Sequence, residues 1–314
     1  LTWSGVGGAN RYEVSMGTDT AGTNSGIFNS TISSLSKGSL TANTTYYWKV
    51  RGGSTANGTG ENSAVSNFIT YDNAPTAPGG LTITAISTTQ LNYSWTDNSN
   101  NESGFRILDG SNNIKASVGA DTTTANETSL SANTQYSRKV YAYNNGGAST
   151  SAAESKYTLA ASPAVETVTG TWSADDGYHC NILVSGSGNP SGTQYAVTTD
   201  NGTTWIKSTG STTTEATWEA TINWKYINLS GNTTYNFKVK GRNGDNTETS
   251  LSAAKSDITP PLAPTGLTSG SITQTSARIS WTGAASADSY TVSYGTDTSG
   301  TNLGETSSIT SESK

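Results

Sequence analysis

The chain alternates. Short runs place an apolar side chain at every second position: "LTITAIS" from Leu81, "LNYSW" from Leu91, "FRIL" from Phe105, "RKVYAY" from Arg138, "QYAVTT" from Gln194 and "NFKVKG" from Asn236. A period of two sends successive side chains to opposite faces of a strand. Between the runs lie Gly, Asn, Asp and Ser, the residues of turns. Nowhere does an apolar i, i+3, i+4, i+7 pattern run long enough to predict a helix. Short strands at this spacing predict an all-β chain of sandwiches.

Two repeats overlie the alternation. The coarse one joins "WSGVGGANRYEVSMGTDTAGTNSG" at Trp3 to "WTGAASADSYTVSYGTDTSGTNLG" at Trp281, aligned without a gap at an offset of 278 residues. The finer one is Leu-x-x-Asn-Thr-x-Tyr followed by alternating residues ending in Lys-Val. It occurs as "LTANTTYYWKV" from Leu40, "LSANTQYSRKV" from Leu130 and "LSGNTTYNFKV" from Leu229. Each unit begins with a strand carrying Trp or Val, with Tyr or Phe 9 to 11 residues on: Trp3/Tyr12, Trp95/Phe105, Val184/Tyr195 and Trp281/Tyr290. Six prolines fall between units: Pro75, Pro78, Pro163, Pro260, Pro261 and Pro264. There proline stiffens a linker and blocks edge pairing of the first strand. Pro190 alone lies in a loop. The predicted domains are 1–72, 73–160, 161–259 and 260–314, the third being the longest complete unit.

These residues resemble the fibronectin type III family in its bacterial, secreted form. The linker "APTAPGGLT", the stretch "YSWTDNSNNESGF" and the Leu-x-x-Asn-Thr-x-Tyr pattern carry the resemblance, which covers essentially the whole chain. It implies tandem Ig-like β-sandwiches joined by short Pro-containing linkers. It also implies that Tyr46, Tyr136 and Tyr235 are corner tyrosines whose hydroxyls bond backbone near the preceding Leu. Trp3, Trp95 and Trp281 become core residues of the second strand. Val184 takes that place in the third unit, whose core is then packed differently, with Trp172, Trp205, Trp218 and Trp224 elsewhere. By the same resemblance the first unit lacks its first strand and the last lacks its final three. Two readings of those ends stand: a window from a longer repetitive polypeptide, or a processed subunit completed by neighbouring copies.

Composition narrows the function. Apolar residues make up 32% and charged residues 13%, with 34 Gly and about a third of the chain Ser or Thr. Polarity without much charge suits an extracellular β protein. The net charge of −6 includes no basic run, so a nucleic-acid partner is not expected. No apolar stretch approaches the ~20 residues that span a bilayer, so no membrane insertion is expected in this segment. Nine Asn-x-Ser/Thr sites match what this composition produces by chance and say nothing of glycosylation.

Candidate chemistry is sparse. A zinc site needs about four ligands, and the chain has one His and one Cys, His179 and Cys180. Alternation puts Cys180 beside Ile182 and Val184 as a buried small hydrophobe and points His179 to solvent. There is no Gly-x-Ser-x-Gly elbow. Paired carboxylates for glycoside hydrolysis would lack a deep cleft. No enzyme activity, cofactor or metal is therefore expected. Asp175 and Asp176 read as an exposed turn or a weak calcium ligand pair. The "GTDTAGTNSG" and "GTDTSGTNLG" loops read as turns requiring positive φ or as contact surfaces. Trp205, Trp218 and Trp224 fill a core or form a platform that stacks on sugar. Two functions follow: a segment of a surface fibre, stalk or filament, partnered by copies of itself or further repeats, or a spacer or carbohydrate-binding module of a secreted polysaccharide-degrading enzyme or adhesin.

Overall fold

The computed structural model describes residues 1–284, 287–296, 298 and 304–309. The described residues are all β, and none of their segments is a helix long and apolar enough to cross a membrane. Contacts divide the chain into two compact units: Leu1–Thr84, Leu91–Glu127 and Tyr136–Lys156 in one, Ala85–Gln90, Thr128–Gln135 and Tyr157–Lys314 in the other.

In the first unit, strand Arg11–Gly17 lies between Ile27–Ser30 and Thr45–Ser54, and Thr45–Ser54 also pairs with Gly58–Thr59 and Ser66–Ile69. Tyr12, Val14 and Met16 turn inward from Arg11–Gly17, as the period of two requires. A single bridge, Thr2 to Ser34, starts the opposing layer. The next sandwich shows both layers. Three strands run in the order Thr124–Glu127, Leu91–Thr96, Gly79–Ala85; five comprise Gly147–Thr150, Gln135–Asn144, Gly104–Leu108 and Ile114–Gly119, with Glu154–Tyr157 paired to Gln135–Asn144. Leu91, Tyr93 and Trp95 from one sheet and Phe105, Ile107, Val140 and Ala142 from the other fill its interior.

In the second unit, Ala164–Ser173, Gly177–Ser185 and Asn223–Leu229 form a three-stranded sheet. The facing sheet runs Thr212–Thr213, Trp205–Ile206, Gln194–Thr198, Thr234–Arg242, Lys255–Ile258. One core gathers Cys180, Ile182, Val184, Tyr195, Val197, Trp224, Phe237 and Val239. Two strand pairs follow, Thr265–Gly270 with Arg278–Thr282 and Tyr290–Tyr294 with Gly304–Ile309.

The aromatic pairs repeat with the sequence. Trp3 and Tyr12 meet edge to face with centroids 5.4 Å apart at 64°, and Trp281 and Tyr290 do so at 5.4 Å and 65°. Trp95 and Phe105 also lie 5.4 Å apart. The indole nitrogens of Trp3, Trp95 and Trp281 are buried without a hydrogen-bond partner, and so is that of Trp224. In the third core Trp224 pairs across from Ile182, one strand away from Val184. The tryptophan has moved to the neighbouring strand, and a valine occupies the vacated position.

Candidate functional site

The corner tyrosines close the loops that precede them. The Tyr46 hydroxyl accepts from the Thr41 N–H at 3.0 Å, and the Tyr235 hydroxyl accepts from the Ser230 N–H at 3.0 Å. Tyr46 stacks on Phe68, and Tyr235 meets Tyr226 edge to face. Tyr136 holds the same place in Gln135–Asn144, half-buried, with the Arg138 guanidinium 5.0 Å over its ring. Of the four positions expected in the core, Trp95, Val184 and Trp281 are buried, whereas Trp3 is half-buried against Tyr12 and Trp48.

The tryptophan platform is not built. Trp205 and Trp224 are 5% and 3% exposed, so neither presents a face. Trp205 donates its indole N–H to the Gly202 carbonyl at 3.0 Å. Trp218 is half-buried and lies outside any strand. Its ring is occupied by cations: Lys240 at 5.2 Å and Arg242 at 4.7 Å, with Lys240 also 4.6 Å over Trp205. The tryptophan that does face solvent is Trp172, 57% exposed.

His179 also departs from expectation: it is buried, not on the surface, and its Nδ1 lies 3.0 Å from the Gly177 carbonyl. The pairing of Gly177–Ser185 with Asn223–Leu229 shifts register between Tyr178 and Cys180. The extra residue lies on Asn223–Leu229, while Gly177–Ser185 keeps its register with Ala164–Ser173 from Tyr178 to Asn181; alternation gives His179 a face but not what covers that face. Cys180 is fully buried and free, and burial pushes its thiol up to about 11. Asp176 is ion-paired with Lys225 at 2.6 Å.

Aspartates organise the hairpin loops. In "GTDTAGTNSG" the Asp19 carboxylate accepts from the N–H groups of Thr23 and Asn24 at 2.7 and 3.0 Å, and from the Thr23 hydroxyl. The Asn24 amide closes the other side onto Thr18. Bonds from Asn24 and Thr23 hold the Asp19 carboxyl down at about 2. Gly22 takes φ 66°, and a Cβ there would meet the Tyr47 carbonyl at 2.7 Å. Asp109 and Asp200 cap the equivalent loops through Ser111 and Asn113, and through Thr203 and Thr204. The repeated motif thus satisfies its own polar groups as a turn. Its second copy, "GTDTSGTNLG", lies largely outside the described residues.

The arrangement that sequence reasoning missed lies at the linkers, where an asparagine from the end of a long strand holds the chain. Asn144 donates to the Asn73 carbonyl at 2.7 Å and to the Asn101 carbonyl at 3.0 Å, while its oxygen accepts from Gly146 and Gly147. Asn101 also donates to Asn73, and Asp72 donates to Asn145. Within the second unit, Asn243 donates to the Thr158 carbonyl at 3.0 Å and accepts from Asp245 and Thr247. Around it, Asn133 links to Thr193 and Gly244, and Asn189 bonds Ala161 through both its amide atoms. Thr158, Thr193, Asn133 and Asn243 are all buried. Glycine is required at the first turn, where a Cβ on Gly146 would fall on the Asp72 carbonyl; at the second, a Cβ on Gly244 would displace the Tyr157 ring. The sequence signal was present as "NNGG" and "NGDN", but such runs announce only a turn.

Residues 76–158 match the family model described as Fibronectin type III domain. No curated protein matches the chain. Among solved structures the chain is similar to the FN1-FN3 domains of chicken CNTN1, at 16% identity and a TM-score of 0.30, covering 77% of this chain and 88% of that one. It is also similar to a segment of two fibronectin type III domains from chicken tenascin, at 15% identity and a TM-score of 0.36, covering 58% and 98%. The matched stretch is the sandwich with three strands facing five.

Proposed function

We propose that this chain of tandem fibronectin type III sandwiches is an extracellular structural protein, a segment of a surface fibre, stalk or filament, whose work is mechanical and not catalytic. The observation that carries the reading is the pair of asparagine clamps. A linker whose carbonyls are bonded by Asn144 or Asn243 is part of the fold, so tension passes from sandwich to sandwich through fixed contacts. Each sandwich, with its non-local strand pairing, is a separate cooperative barrier to unfolding. The domain divisions at 72/73, 160/161 and 259/260 are the joints of this reading. The matching Trp3/Tyr12 and Trp281/Tyr290 geometry supports a 278-residue super-repeat, with further copies of the repeat as the natural partner. The polysaccharide-binding alternative loses its support with the burial of Trp205 and Trp224.

Two measurements test the reading. Antibodies against the chain are expected to label fibres on intact, unpermeabilised cells; label appearing only after permeabilisation overturns it. Stretching single molecules is expected to give separate unfolding events, each releasing about 30 nm, the contour of ~90 residues at 3.3–3.6 Å apiece. A single featureless extension at low force overturns the mechanical role.

A further inference from the structure

We infer that Asp97, Glu102 and Asp121 form a calcium site in the second sandwich. Asp97 follows strand Leu91–Thr96, Glu102 lies two residues before Gly104–Leu108, and Asp121 lies two after Ile114–Gly119. Gly104 pairs with Gly119, so Glu102 and Asp121 flank the same end of one hairpin. One carboxylate oxygen from each residue lies within 4.8 Å of the other two.

Proximity of carboxylates alone says little. The second observation is the state of Glu102, which is only 8% exposed. Its Oε1 accepts from the Asp121 N–H at 3.2 Å, whereas its Oε2 is buried with no hydrogen-bond partner. A buried carboxylate oxygen without a donor is costly and calls for a ligand. Among the described residues no Lys or Arg supplies the need. Glu13, Asp109, Glu127, Asp176 and Glu248 each have a Lys or Arg partner; among the described residues Asp97, Glu102 and Asp121 have none.

The donor set selects the ion. Three carboxylates with no nitrogen or sulfur favour a hard cation over zinc or copper. Ligands brought from two loops, 97–103 and 120–123, suit the flexible six- to eight-oxygen shell of Ca²⁺, with water completing it, better than the strict octahedron of Mg²⁺. The site would tie these two loops at one end of the sandwich, with a dissociation constant of about 10⁻⁴–10⁻³ M, the range of extracellular modules.

The test is calorimetric unfolding of the whole 314-residue chain in EDTA and in millimolar calcium chloride. Calcium at about ten times its dissociation constant is expected to raise one transition by ~5–10 °C. Asp121 is exposed, so Asp121→Asn is expected to fold. It should lose the calcium shift while melting at or above the wild-type midpoint in EDTA, because one repelling charge has gone. Asp97→Asn should behave alike. The assignment is overturned if calcium leaves the wild type unmoved, if Asp121→Asn keeps the shift or melts lower by the same amount in both buffers, or if magnesium at the same concentration shifts the wild type equally.

Discussion

Replacing Glu127 with leucine removes one member of an ion pair sealed inside the second sandwich. Glu127 accepts from Arg138 twice, at 2.8 and 2.7 Å, and from the Tyr93 hydroxyl at 2.5 Å. The two charged side chains are 8% and 7% exposed, so water cannot replace the lost carboxylate. Breaking such a pair costs about 3–5 kcal/mol because the remaining charge stays buried. A domain of this size shifts by about 4–8 °C per kcal/mol, so the transition of this sandwich should fall by more than ~12 °C. The double variant Glu127→Leu/Arg138→Phe should recover most of that loss. Arg138 aligns with Phe237 in the repeated Leu-to-Val pattern, and Phe237 is fully buried in its own core. Replacing a whole buried pair by apolar groups is often neutral or stabilising. Scanning calorimetry with urea denaturation measures both variants. A single-variant loss under ~1 kcal/mol, the range of exposed pairs, refutes the reasoning, as does a double variant that is additive.

The same network sets a pH window. Burial pushes the Glu127 carboxyl up, but the bonds from Arg138 and Tyr93 outweigh it and its pKa is lowered. A lowered folded pKa gives stability that is present above the unfolded value near 4.3 and lost as pH falls through the folded one. Burial, then the hydrogen bond to Glu127, raises the Tyr93 hydroxyl. That contribution is complete below an unfolded pKa of about 10 and is lost as pH rises further. The wild-type sandwich should therefore weaken at both extremes, and the double variant, which lacks the Glu127 carboxyl, should weaken less on the acid side.

Three smaller outcomes are expected. Tyr235→Phe and Tyr46→Phe should each cost about 1 kcal/mol, the loss of one hydrogen bond, in thermal melts; no change in either would remove the corner from the account. The Asp19 carboxyl should titrate near 2 by NMR, and a midpoint at the ordinary value would mean that the loop is open. Gly146→Ala should destabilise by more than the ~1 kcal/mol of a typical point mutation, since its Cβ collides with the Asp72 backbone.

Alternation made the strands legible because each sheet has one face on a core, and so a strict period. The Trp/Tyr spacing was equally visible, but only the fold shows that the rings meet, at 5.4 Å in both copies. Legibility ended where the period broke or where partners came from distant loops. His179 was misread because alternation assigns a side chain to a face and says nothing of what covers that face. Trp224 took the core from a neighbouring strand, which no spacing within one strand can announce. Arg138 stood in plain sight at an inward position of the repeated pattern, yet only the three-dimensional approach of Glu127 makes a charge tolerable there. Asp97, Glu102 and Asp121 come together only once the Gly104–Gly119 hairpin has closed. Asn144 and Asn243 looked like ordinary turn residues because the carbonyls they hold lie 71 and 85 residues away.

Amide hydrogen exchange at the second linker tests the central claim most directly. Tyr157, Thr158, Leu159 and Ala161 all donate, to Asp245, Thr134, Ser87 and Asn189 respectively. If the linker belongs to the fold, these four amides should be protected in the native chain and lose protection together in Asn243→Ala, while the strand Thr234–Arg242 stays protected. Rapid exchange of all four in the native chain would mean a free tether, and would contradict the account.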